Sequence, residues 1–141
     1  MNTSEKGKIV PDRIRILIID DDTDFIQANS IILDTCGFEV LTASSTAEGL
    51  IKVAEERPDA VLLDIMMGKT DEGFSVARKI RDVIKSDAAI IMLSSIQAKI
   101  GYSFKPEEHP DYFPVDRFLD KPVSPRDLVQ VINNVVAKGG C

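Results

Sequence analysis

A doubly wound α/β domain, with a parallel sheet covered by helices on both faces, is the fold class this sequence predicts. Three observations carry it. Short apolar runs rich in β-branched residues alternate with longer segments of helical period along the chain. The runs lack polar alternation, as strands buried on both faces do. The chain has 141 residues, 44% of them hydrophobic and 28% charged, which suits one globular core and not two.

The elements follow in order. Residues 1–12, MNTSEKGKIVPD, are polar, contain Gly7 and Pro11, and read as a flexible N-terminal leader. The domain proper is expected over 13–138, with 139–141 as a C-terminal tail. The first strand is Ile14 to Ile19, ending at Asp20. Thr23 to Cys36 sets Phe25, Ile26, Ile32 and Leu33 at helix spacing, and Gly37 is a natural stop. Phe38 to Ala43 is the second strand. Ser45 starts a helix, with Glu48 three residues later as a capping box, and the helix runs to about Arg57 before Pro58. Ala60 to Leu63 is the third strand and ends at Asp64. Phe74 to Ile84 carries Phe74, Ala77, Ile80 and Ile84 on one helical face. Ala89 to Leu93 is the fourth strand, ending at Ser94, and Arg117 to Leu119 the fifth. Ser124 then caps a last helix that begins with Pro125 and reaches about Ala137. One stretch breaks the rhythm. Residues 97–114 should hold the fourth helix, yet Pro106, Pro110 and Pro114 punctuate it. An interior proline costs roughly 3 kcal/mol, so that helix is expected to be short, displaced or replaced by a loop.

Composition removes several function classes. With 17 Lys+Arg against 23 Asp+Glu the formal charge is −6, and such a surface repels phosphate backbones, so direct nucleic-acid binding is not expected. No apolar run approaches a membrane span and residues 1–12 hold no signal-peptide core, which points to a cytoplasmic protein. Cys36 and Cys141 do not make a disulfide framework.

In open α/β sheets the site forms beyond the carboxyl ends of the strands. Asp20, Asp21 and Asp22 follow the first strand, Asp64 the third, Ser94 the fourth and Lys121 the fifth. Carboxylates held this close repel one another and call for a cation. A hard ion such as Mg²⁺ satisfies them with oxygen ligands, leaving Lys121 and the Ser94 hydroxyl to meet a phosphoryl group. One carboxylate can serve as nucleophile, giving an acyl phosphate.

These residues resemble the receiver domain of bacterial two-component response regulators. The likeness rests on ILIIDDD at 16–22, LLDIMM at 62–67, IMLSS at 91–95 and FLDKP at 118–122. Each motif alone is weak, but four in order, each ending a strand, are specific, and they cover about residues 13–137. The resemblance implies a flavodoxin-like fold with strand order 2-1-3-4-5 and about five helices. It implies Asp64 as phosphoacceptor, phosphorylated by a histidine kinase or a histidine phosphotransfer protein. Asp20, Asp21, Asp64 and the backbone carbonyl of Met66 would hold Mg²⁺, Asp21 directly and Asp20 through water. Ser94 and Lys121 would meet the phosphoryl oxygens, with Pro122 after a bond the family often holds cis, and Phe118, three residues before Lys121, would be the family's switch aromatic. The domain would signal to a downstream protein and not act as an enzyme on an external substrate.

The sequence departs from the family in three places. Met67-Gly68 stands where Met-Pro is usual, the 68–72 segment is one residue longer, and the interval from Ser94 to Lys121 is extended across part of the family's readout face. Met66 and Ile96, two residues beyond Asp64 and Ser94, are apolar, so slow autodephosphorylation is expected. Simpler roles compete: Asp22 as N-cap of the first helix, Phe118, Met66, Met67 and Met92 as packing, Ser95 as structural, and His109 as a solvated loop residue. A calcium loop fails because Ile31 stands where Glu is needed. Two alternatives stay open: a Mg²⁺-dependent phosphatase of haloacid dehalogenase type using Asp20, and a degenerate receiver that acts only as a binding module.

Overall fold

The structure, a computed structural model, describes residues 13–64, 72–94 and 115–136, excepting the side chains of 72–74 and 94. The leader 1–12, the tail 139–141, Met66, Ile96, His109 and the proline-rich 97–114 stretch lie outside the described residues.

Five strands form one sheet: β1 (Arg15–Ile19), β2 (Glu39–Ala43), β3 (Ala60–Asp64), β4 (Ala89–Ser94) and β5 (Arg117–Asp120). All neighbours are parallel, and the order is β2-β1-β3-β4-β5, as the sequence implied. Four helices accompany them among the described residues. These are α1 (Thr23–Thr35), α2 (Thr46–Glu56), α3 (Glu72–Lys79) and α4 (Pro125–Val135). None is long and apolar enough to cross a membrane.

Strand alternation divides the core in two. Leu17, Ile19, Val61, Leu63, Ile90 and Met92 pack on one face with Val53 of α2 and Val76 and Ala77 of α3. Ile16, Ile18, Ala60, Leu62, Ile91 and Leu93 pack on the other with Leu33 of α1 and Leu128 and Ile132 of α4. Both faces of β1, β3 and β4 are thus dry, which is why those strands read as unbroken apolar runs. The edge strands β2 and β5 are mostly half-buried or exposed.

Local chemistry sets the helix ends. Asp22, Ser45 and Ser124 are N-caps, accepting from the backbone N–H of Phe25, Glu48 and Asp127. The Glu48 carboxylate accepts from Ser44 N–H, one residue before the cap that the capping box predicts. Gly37, with φ +96°, turns the chain after α1, and Arg57 takes the left-handed conformation before Pro58. Gly49 is needed for close approach: a methyl placed there would stand 2.5 Å from Ile19 Cδ1. The helix read over Phe74 to Ile84 begins two residues earlier, at Glu72, and changes form before its end, continuing from α3 as a π turn over Ile80–Ile84. Within that turn Arg81 donates to the carbonyls of Ser86 and Ala88 and pairs with Asp116 at 3.0 Å, tying the end of this helix to the start of β5.

Candidate functional site

The site is assembled by register. Ile19 pairs with Leu63, so Asp20 and Asp64 emerge from adjacent strands side by side. Asp64 in turn pairs with Leu93, and Ser94 with Asp120, so Ser94 and Lys121 each stand one residue further along the same sheet edge. The four neighbouring strands β1, β3, β4 and β5 therefore deliver carboxylate, carboxylate, hydroxyl-bearing residue and ammonium to one rim.

Asp20 is fully buried, and both its oxygens are engaged. Its Oδ1 accepts from Asp22 N–H at 2.9 Å, and its Oδ2 accepts from Lys121 Nζ at 2.7 Å. The same ammonium lies 3.5 Å from Asp64 Oδ2. Asp64 is buried too, whereas Asp21 is exposed, and one carboxylate oxygen from each of Asp20, Asp21 and Asp64 lies within 4.8 Å of the others. The third contact of Lys121 is aromatic: Nζ sits 4.4 Å from the centroid of the Phe25 ring. Burial works against the Lys121 charge, but the hydrogen bond and charge of Asp20, with the fields of Asp64 and Asp22, outweigh it and raise its pKa above the ordinary lysine value. Among the described residues, the carboxylates of Asp20, Asp21 and Asp64 face the Lys121 ammonium, an excess of negative charge that suits a hard, oxygen-preferring divalent cation.

The family described as "Response regulator receiver domain" matches residues 16–133. This chain belongs to it. Among similar proteins is the phosphate regulon transcriptional regulatory protein PhoB of Pseudomonas aeruginosa, 32% identical over 89% of this chain and 52% of that protein. The alkaline phosphatase synthesis transcriptional regulatory protein PhoP of Bacillus subtilis is 31% identical over 81% of this chain and 45% of its own length. The chain thus spans about half the length of these relatives. Among solved structures, a CheY-like response regulator receiver domain protein from Methanospirillum hungatei superposes with a TM-score of 0.72 at 30% identity, covering 86% of this chain and 92% of that one. Vibrio cholerae chemotaxis protein CheY4 gives 0.73 at 25% identity, covering 88% and 99%.

Within this receiver domain, the structure brings Asp20, Asp21, Asp64 and Lys121 together and places the Ser94 backbone beside them. The Lys121–Pro122 bond is cis. Phe118 stands three residues before Lys121, level with Met92, and is half-buried against the α2–α3 side of the core. Asp22 is the α1 N-cap, the simpler of its two readings. Phe25 escaped the sequence reading: its helical spacing marked it only as core-facing, and its one signal was its place in the first turn after the acidic run.

Proposed function

We propose that Asp64 is the phosphoacceptor of this receiver domain. The convergence of Lys121 Nζ on Asp20 at 2.7 Å and Asp64 at 3.5 Å, with Asp21 alongside, is the observation that carries it. An Asp64 carboxylate oxygen attacks the phosphorus of a phosphohistidine on a histidine kinase or phosphotransfer protein. A P–O bond forms, the P–N bond breaks, and the released imidazole takes up a proton, leaving an acyl phosphate on Asp64. Asp20, Asp21 and Asp64, with the Met66 carbonyl that the family resemblance adds, would hold Mg²⁺, which supplies neutralisation of the phosphoryl charge. Lys121 and Ser94 pair with the phosphoryl oxygens, and this new dianion biases a protein-binding surface through Ser94 and Phe118. With Met66 and Ile96 both apolar, neither orients a hydrolytic water, and the acyl phosphate is long-lived.

The net charge of −6 supports a protein partner downstream in preference to nucleic acid contacted by this domain itself. We place the receiver domain at 13–138, in the cytoplasm. Incubation with acetyl phosphate and Mg²⁺ followed by intact-mass measurement tests the reading. One added phosphoryl group is expected, and none on Asp64→Asn. Multiple turnovers of a phosphate ester, lost on Asp20→Asn, would replace it with a phosphatase. No response to either reagent would leave a binding module. The two engaged oxygens of Asp20 argue against its serving as a nucleophile.

A further inference from the structure

We infer that Phe25 is a positioning residue for Lys121, holding the ammonium at the rim by a cation–π contact; the inference rests on the phosphoacceptor reading above. The geometry is specific. Lys121 Nζ stands 4.4 Å from the ring centroid, within the range where the negative face of an aromatic ring attracts a cation. Phe25 is anchored through its backbone and its packing. Phe25 N–H donates to Asp22 Oδ1 at 3.1 Å, its carbonyl accepts from buried Asn29 Nδ2 at 2.9 Å, and its side chain packs against the α1–α4 side of the core.

The other partners of Lys121 are the carboxylates that a divalent ion would claim. Once such an ion draws on Asp20 and Asp64, their hold on the ammonium weakens. The face of Phe25 is no metal ligand, so its attraction persists through ion binding and phosphoryl arrival. A leucine at this position would fill the same space against the core without a quadrupole. Phe25 thereby keeps Lys121 preorganised at the moment its charge is needed.

The test replaces Phe25 with mono-, tri- and pentafluorophenylalanine, which keep the ring's shape while draining its face of negative charge, and with Leu and Tyr. Rates of phosphorylation by acetyl phosphate should fall stepwise along the fluorinated series. They should reach roughly three- to tenfold below wild type in the pentafluoro and Phe25→Leu proteins, with Phe25→Tyr near wild type and Mg²⁺ affinity unchanged. NMR of the unphosphorylated protein supplies a second readout: the Lys121 ε-methylene protons should show an upfield ring-current shift that Phe25→Leu abolishes. Flat rates across the series in a wild type that does phosphorylate, or no ring-current shift, overturn the role of Phe25 and leave the phosphoacceptor reading standing. A wild type that accepts no phosphoryl group overturns that reading, and the positioning role with it.

Discussion

Replacing Lys121 with methionine keeps most of the unbranched side chain and deletes its charge, and the structure permits an estimate of the cost. At 2.7 Å from Asp20 the ammonium gains about 6 kcal/mol at an effective dielectric near 20, and at 3.5 Å from Asp64 about 5 kcal/mol. Desolvation offsets most of this, since the Lys121 side chain is only 19% exposed and that of Asp20 is 0% exposed. The variant leaves Asp20 buried and charged, with the Asp22 N–H as its one remaining partner among those described here. Removing one member of a buried pair costs about 3–5 kcal/mol, and the surviving hydrogen bond moves the expectation to the lower end, about 3 kcal/mol. Urea unfolding in EDTA measures it. Magnesium then discriminates further. The ammonium competes with a cation for the same carboxylates, so Lys121→Met should bind Mg²⁺ more tightly and recover more stability from it than wild type does. A variant as stable as wild type in EDTA, or an identical Mg²⁺ response, would refute the claim that Lys121 compensates this cluster.

Gly49→Ala should lose about 1 kcal/mol net in chemical denaturation, because the new methyl would stand 2.5 Å from Ile19 Cδ1 and 2.8 Å from its Cγ1, and better helix propensity returns only part of the strain. Asp22→Ala should cost about 1 kcal/mol as a lost α1 N-cap, measured the same way. Glu48 is held below its ordinary value of 4.5, first by the Ser44 N–H and then by Lys52, so its contribution is present above pH 4.5 and lost as pH falls through the lowered value. Glu48→Gln should therefore flatten the acid limb of a stability-against-pH curve below 4.5 and leave the neutral range nearly parallel to wild type.

The sheet was legible because burial on both faces writes itself into sequence as apolar runs, and because a charged residue ending such a run is expensive unless used. Asp20 after Ile19 and Asp64 after Leu63 carry both signals, and parallel register then makes them neighbours. Lys121 was legible through its place after a short strand and before Pro122. Helix caps were legible as well, since Ser45, Ser124 and Asp22 act through one or two local bonds. Other features depend on contacts that no local pattern encodes. The π turn at Ile80–Ile84 keeps Ile80 and Ile84 against the core, so a helical period looks undisturbed. Phe25 lies 96 positions from Lys121, and an aromatic residue at helical spacing reads first as packing. The Arg81–Asp116 tie spans 35 positions and has no motif at all.

The arrangement of charge at the rim makes a sharper demand: the site should be a burden on the fold when no ion is bound. Asp64 lies within 4.8 Å of oxygens from both Asp20 and Asp21, repulsions of at least about 3.5 kcal/mol each at an effective dielectric near 20. Its compensating contact with Lys121, at 3.5 Å, is worth about 5 kcal/mol on the same scale, and that ammonium is already committed to Asp20 at 2.7 Å. Taken over these three charges alone, the two repulsions exceed the Lys121 attraction by about 2 kcal/mol, and the cost of burying the carboxylate works in the same direction. A carboxylate kept for stability would show the opposite sign. Asp64→Asn, nearly the same in shape, should therefore raise the urea midpoint in EDTA by the equivalent of about 1–2 kcal/mol while abolishing phosphorylation, and Mg²⁺ should narrow the gap by stabilising wild type more. An asparagine variant less stable than wild type in EDTA would mean that Asp64 serves the fold, and the case for a residue retained for chemistry would fall.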